Sequence, residues 1–361
     1  MRFRKYSEPF IRGCFGDLIF LRKEKYDPQK DTATYPCIEL ENIEQETCLL
    51  NGYFDSKKQK SIKTKFQSGD VLFGKLRPYL RKYALVDFNG VCSTEIWALY
   101  SNKLLNSYLF YYIQTEQFLE VANTSSGTKM PRAEWNLISS KEFRYPQSRE
   151  EMGCVSHFLS KIDQRIETQS KIINCLESLL NEISHHYFGS LSSAEIALSK
   201  IADIYQPKTI SQSECSENGT YNVFGANGII GKFNQYNHDL PQICITCRGS
   251  TSGNVFMTES YSWITGNAMV INIDKNLEIV NKTFLYYYLS SMSFKNIISG
   301  SGQPQIVREP LMKIKIKLPS LEEQLRFEKI ISSFASKLQK EKDILALYKK
   351  QKAYLLANMF I

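Results

Sequence analysis

Apolar residues return every four and then every three positions along one long stretch of the chain. Val155, Leu159, Ile162, Ile166, Ile173, Leu176, Leu180 and Ile183 keep this rhythm, with Gln169 inside it and Tyr187 at its end. No Pro or Gly interrupts the run. A four-three alternation winds a narrow stripe around a helix, which is the seam of a coiled coil rather than the broader face of a globular core helix. At roughly 1.5 Å per residue the helix would be about 50 Å long. Such a stripe needs a partner of similar length. The far end of the chain supplies one: Phe327, Ile331, Phe334, Leu338, Leu345, Tyr348, Leu355 and Met359 repeat the spacing, with Glu341 and Lys352 as polar interruptions. Both runs follow a similar lead-in, "YPQSREEM" at 145–152 and "LPSLEEQL" at 318–325. In each a Pro precedes the helix and two Glu occupy its first turn, where carboxylates favour the positive end of the helix dipole.

The segments between the helices have a different pattern. In residues 1–145, "DVLF" reads as a buried strand and "GKLRPY" as a basic turn. "GVCSTEIWALY" (90–100) reads as a second strand and "NSYLFYYIQTEQFLEVA" (106–122) as an amphipathic helix. A polar loop, "NTSSGTKMPRAEW", and a last short strand lead to Pro146. After a small-residue joint, "FGSLSS", residues 190–318 repeat the plan. "DLPQICITCRGSTSGNV" stands for "GDVLFGKLRPY", "YSWITGNAMVI" for "GVCSTEIWALY", and "NKTFLYYYL" for "NSYLFYYI". The loop "SGSGQPQIVREPL" takes the place of "SSGTKMPRAEWNL". The expected class is α+β. Two homologous mixed α/β domains, 1–145 and 190–318, are separated by helices in 146–189 and 319–361, paired as an antiparallel coiled coil. That pairing gives the internal repeat an approximate two-fold axis.

Charge and chemistry narrow the possibilities. The net charge is +8, and residues 1–145 carry 22 Lys and Arg against 17 Asp and Glu. That suits a polyanionic partner. No run of 18 apolar residues is present and the start, "MRFRKYSEPF", lacks the apolar centre of a signal peptide, so no membrane association is expected. Nine Cys at irregular spacing suggest reduced thiols and a cytoplasmic location. "GANGIIGKF" resembles a phosphate loop but is one residue too long between its glycines. It also has Phe233 where a Mg²⁺-binding Ser or Thr belongs, so it reads as strand–turn–strand. Cys244 and Cys247 form a lone CxxC inside apolar "ICITC", and His185 and His186 are adjacent on a helix; neither pair suits a metal. No catalytic constellation or metal site is expected, and the chain reads as a recogniser.

A reader of DNA needs Lys and Arg for phosphates and polar side chains for base edges. In the first domain these are Lys57, Lys58, Lys60, Lys63 and Lys65, then Lys75, Arg77 and Arg81, then Thr128, Lys129 and Arg132. In the second they are Asn227, Lys232, Arg248, Ser250, Thr251, Ser252, Gln303, Gln305 and Arg308. Each cluster adjoins an expected strand and should be carried on exposed loops. Lys129 and Arg132 on one side, and Gln303, Gln305 and Arg308 on the other, hold equivalent places in the repeat. Ser93, Thr94 and Glu95 match Gly266 and Asn267 as turns.

With these residues in view, the chain resembles the DNA-specificity subunit of a type I restriction–modification system. The resemblance rests on "GDVLFGKLRPYLRKYALV", "GVCSTEIWALY" and "SSGTKMPRAEWNLI" in the first half. In the second it rests on "YNVFGANGIIGKFNQYN", "WITGNAMVI", "SGSGQPQIVREPLMKIKIKLPSLEEQ" and "LLANMF". It implies two target-recognition domains that each bind half of a split site in double-stranded DNA, with the paired helices as a spacer. It implies no catalysis and no cofactor in this chain. Two methyltransferase subunits and two restriction subunits would dock on it, and S-adenosylmethionine, ATP and Mg would belong to those partners. The first lead-in lacks the Gln of "SLEEQ", a departure that points to somewhat different docking by the first helix. Three other readings stand beside this one: a specificity subunit of a system combining methylation and cleavage, an enzyme such as a nuclease with an unrecognised site, and a coiled-coil protein scaffold. Salt-sensitive DNA binding separates the last from the rest.

Overall fold

The seam residues form two long helices, Arg149–Ser190 and Leu321–Met359, in a computed structural model that describes residues 2–124, 130–210, 214–216, 218–300 and 302–360. Every apolar seam position is buried or half-buried. The chain divides into two units, Met1–Lys171 with Lys342–Ile361, and Ile172–Glu341. Among the described residues no helix is long and apolar enough to cross a membrane.

In the first unit an antiparallel four-stranded sheet runs Ile19–Leu21, Ile96–Ser101, Val71–Gly74, Tyr83–Leu85. A five-stranded sheet runs Lys25–Tyr26, Lys63–Phe66, Gly90–Cys92, Pro36–Ile38, Phe54–Asp55. A two-stranded ribbon joins Ile11–Cys14 to Glu142–Tyr145. Phe15, Phe73, Tyr108, Phe118 and Phe143 make one core with Val155, Leu159 and Ile162 of the first long helix and Leu355, Met359 and Phe360. Each such side chain contributes about 1.5–3 kcal/mol by leaving water. Lys352, a polar break in the seam, is also buried here; its Nζ meets Asp163 Oδ1 at 2.7 Å, and Tyr111 donates to the other oxygen at 2.9 Å. The seam therefore tolerates the cation because a carboxylate and a phenol face it.

The second unit repeats the inner frame. Its antiparallel sheet runs Asp203–Tyr205, Ala268–Asn272, Ile243–Thr246, Val255–Met257, strand for strand the order of the first. Its ribbon pairs Glu195–Ala197 with Lys315–Lys317. The outer sheet differs, with three strands in the order Gly228–Phe233, Tyr221–Gly225, Trp263–Ile264. Phe188 lies 4.9 Å from Phe327 and 5.5 Å from Phe284 between ring centroids, and Tyr187 stacks on Phe327 at 4.5 Å. The hairpin Tyr221–Gly225 and Gly228–Phe233 is the strand–turn–strand expected for "GANGIIGKF".

Two expectations need correction. The stretch 90–100 is two strands, Gly90–Cys92 and Ile96–Ser101, in different sheets, broken at Ser93–Glu95. Its counterpart breaks likewise into Trp263–Ile264 and Ala268–Asn272. There the turn requires Gly266, whose added β-carbon would lie 2.5 Å from Thr209 Oγ1 and 2.9 Å from the Pro207 carbonyl oxygen. The stretch 106–122 is two helices, Asn106–Tyr112 and Glu116–Asn123, because Thr115 caps the second by accepting from the Phe118 N–H. The Gln of "SLEEQ", Gln324, faces inward. It is fully buried, donates to the Ile279 and Pro319 carbonyls at 3.0 and 2.9 Å, and accepts from the Asn281 N–H at 2.8 Å. Counting from the prolines, Glu151 holds the equivalent place; it is equally buried, and Arg2 grips it with two hydrogen bonds of 2.6 and 2.7 Å.

One buried histidine should weaken the second unit in acid. His238 accepts or donates to Tyr205 Oη at 2.9 Å and pairs with Asn237 Oδ1 at 2.6 Å. Burial holds its pKa below the ordinary 6.5, against a smaller opposing pull from Asp274 and Asp239. The unfolded chain therefore takes up a proton at a higher pH than the folded one. Its contribution is complete above about pH 6.5 and is lost as pH falls from there toward the folded value. The unfolding midpoint of the wild type should drop more between pH 7 and 5.5 than that of His238→Gln; equal drops would show that this group carries no linkage.

Candidate nucleic-acid interface

In the first unit the turn after Val71–Gly74 is tied down by backbone hydrogen bonds. The Lys75 N–H donates to the Glu95 carbonyl at 2.9 Å, the Arg77 N–H to the Pro131 carbonyl at 2.8 Å, and the Ala133 N–H to the Lys75 carbonyl at 2.8 Å. The second unit has the same ladder. The Cys247 N–H donates to Asn267 at 3.1 Å, Gly249 to Pro304 at 2.9 Å, and Ile306 to Cys247 at 3.0 Å. Three segments distant in sequence thus meet at one edge in each unit, and Arg132 and Gln305 fall at equivalent rungs.

The side chains on these rungs are not equally available. Arg132 is spent on Glu95, with hydrogen bonds of 3.0 and 3.4 Å, and Arg81 on Glu116 at 2.7 Å. Lys75 and Arg77 have no carboxylate partner among the described residues, and Arg77 is exposed. Thr128 and Lys129 lie outside the described residues. In the second unit Arg248, Ser250, Thr251, Gln303, Gln305 and Arg308 are exposed. Thr251 donates to Asn227 Oδ1, bringing the hairpin tip to the turn, and Ser252 is turned inward to the Gly249 and Pro304 carbonyls at 2.8 and 2.9 Å. Lys232 is exposed but sits toward the other end of that hairpin, in Gly228–Phe233.

The run 57–65 is not one loop-borne patch. Lys57, Lys58 and Lys60 are exposed, and Lys57 Nζ donates to the Asp31 carbonyl. Lys63 and Lys65 lie in the strand Lys63–Phe66. Lys63 is 4% exposed and paired with Glu39 at 2.5 Å, while Lys65 meets Glu24 at 2.7 Å. That hydrogen bond holds the Lys65 pKa above the ordinary lysine value, with a smaller opposing effect of burial. The carboxylates that claim these two lysines are distant in sequence, so nothing local separates them from an exposed loop.

Sequence reasoning missed Lys23 and Lys25. With Lys75, Thr64 and Thr94 they line a hollow of about 240 Å³ that no carboxylate lines. Arg22 also lines it, neutralised by Asp70 through two hydrogen bonds of 2.9 Å and lying 4.0 Å over the Tyr100 ring. The alternation Lys23-Glu24-Lys25 would put both lysines on one side of an extended chain, a signal that was present in the sequence. A cationic hollow beside an exposed arginine turn can hold backbone phosphates while a side chain reaches a base. Among the described residues no group of three or more His, Cys, Asp or Glu could hold a metal ion, and Cys244 and Cys247 are buried, their pKa values pushed up by that burial.

Comparisons with known proteins agree with the repeat. The model of the type I restriction modification DNA specificity domain matches twice, over residues 13–178 and 193–347. The type I restriction enzyme MjaVIII specificity subunit of Methanocaldococcus jannaschii is 26% identical over 311 residues, covering 72% of this chain and 71% of that protein. The EcoDI specificity subunit of Escherichia coli is 34% identical over 137 residues, 38% of this chain and 30% of the relative. The match to the EcoprrI specificity subunit, also of Escherichia coli, is 28% over 118 residues and spans 29% of that protein. The crystal structure of the type I restriction–modification system S subunit from M. genitalium superposes with a TM-score of 0.65 at 17% identity, covering 100% of this chain and 99% of that one. A second structure, from work on assembly of the type I R-M system, gives 0.60 at 18% identity and covers 97% of each chain. These two likenesses establish a shared fold.

Proposed function

The chain belongs to the family of type I restriction–modification DNA specificity domains, and we propose that it is the sequence-reading subunit of such a system. Each unit would bind one half of a gapped, double-stranded DNA target through the turn pinned by its backbone ladder. The observation that carries this reading is the ladder itself, built twice on the same sheet order and each time presenting exposed polar and cationic side chains.

The two long helices would pair antiparallel and serve as the spacer. Supporting this, the start of the first helix shares a core with the end of the second in one unit, and Tyr187 and Phe188 meet Phe327 in the other. Two methyltransferase subunits and two restriction subunits would dock on the assembly. Ile330, Leu347 and Tyr354 are exposed apolar residues of the second long helix, and a docked subunit would cover such positions. On this reading the chain is not catalytic, and S-adenosylmethionine, ATP and Mg act in the partners.

A base-modification map of host DNA, with and without this gene and with its neighbours intact, tests the proposal. Loss of methylation at one split motif is the expected result. An unchanged map in a strain whose methyltransferase subunit is expressed would overturn it and favour a protein scaffold.

A further inference from the structure

Two residues of the first turn have backbone conformations that L side chains rarely adopt: Arg77 and Arg81, both at φ 52°. The duplicated chain contains its own control. The shared ladder places Gly249, at φ 93°, opposite Arg77, and Gly253, at φ 94°, opposite Arg81. The turn geometry therefore needs no side chain at either place, and a β-carbon there costs left-handed strain that glycine avoids. Strain of this kind persists where the side chain is used.

Arg81 has a visible use, since its guanidinium is held by Glu116. Arg132, on the neighbouring rung, is held by Glu95. Arg77 has none within the described residues: it is exposed and lacks a carboxylate partner. Its neighbour two residues earlier, Lys75, faces the cationic hollow with Lys23 and Lys25. Phosphates seated there would bring a groove edge to the tip of the turn. We infer that Arg77 is a specificity-determining residue that reads a guanine edge in one half of the target, by the two-pronged hydrogen bonding a guanidinium makes to guanine O6 and N7. This rests on the sequence-reading function proposed above.

Glycine at the equivalent position supplies an unusually clean test. In the full complex with its methyltransferase subunits, Arg77→Gly should leave the urea unfolding midpoint unchanged or raised. It should also slow methylation of the original motif roughly tenfold or more and make one guanine position of one half degenerate. Arg77→Lys keeps the charge but not the fork, and should lose the same position. Three results would overturn the inference. One is uniform weakening on all sequences with the salt slope reduced by about one, which marks a phosphate contact. Another is an unaltered motif. The third is a fall in the midpoint for Arg77→Gly, which would show that the arginine holds the turn. Failure of the wild-type complex to methylate any split motif would count instead against the function proposed above.

Discussion

Replacing Gln324 by alanine should cost the second unit about 3 kcal/mol, because its removal strands the buried Pro319 carbonyl and leaves the part-buried Asn281 N–H and Ile279 carbonyl without a partner at the foot of the second long helix. The Asn281 N–H is the most exposed to loss. Asn281 caps the helix Lys282–Ser290 by accepting from the Phe284 N–H, and its amide donates to Glu328 at 2.8 Å. Without Gln324 the cap loses one of its two ties to the long helix, the Glu328 bond remaining. Amide exchange across Lys282–Ser290 should then quicken by roughly a hundredfold, at 1.4 kcal/mol per tenfold. Unchanged exchange would mean that the packing of Phe284 and Phe327 suffices. Gln324→Glu should be at least as harmful near neutral pH, since a carboxylate would face the Ile279 and Pro319 carbonyl oxygens. Protonation restores one donor, so this variant alone should regain stability as the solution is acidified. The first unit tolerates Glu151 at the matching place because Arg2 answers it.

Exchanging residues 1–145 for the corresponding domain of another family member should replace one half of the methylated motif and leave the other half and the gap unchanged. The two units build their turns from separate segments, and each has its own core, so a reader carried by one has no structural reason to alter the other. Methylation mapping of the hybrid would decide the matter. A motif altered in both halves, or in neither, would refute the assignment of one half-target to each unit.

Much of this architecture is legible in the chain before folding. The four-three seam identifies both long helices, since only helical periodicity buries those positions together. The repeat is visible because the same apolar strand, basic or Gly-rich turn and aromatic helix recur in order. What stays hidden depends on distant partners. Nothing local in "SIKTKF" tells that Lys63 will meet Glu39, or that Lys65 will meet Glu24. The break at Ser93–Glu95 has no Gly or Pro to announce it; it arises because two sheets each claim part of the stretch. Arg77 was legible as a cation in a turn, but its left-handed backbone and lack of a partner emerge only in the folded unit. Lys23 and Lys25 were masked by the intervening Glu24.

The ladder that holds both turns is made of backbone N–H and carbonyl groups, with side-chain ties added only at a few positions such as Arg81, Thr251 and Ser252. The exposed positions without such ties, Arg77 and Tyr79 in one turn and Arg248 and Ser250 in the other, can therefore be varied freely. A combinatorial library randomised there, with glycine permitted at the left-handed position of Arg77, should yield mostly folded proteins. Selection on such a library could then act on the motif that is read, with little of the diversity lost to misfolding.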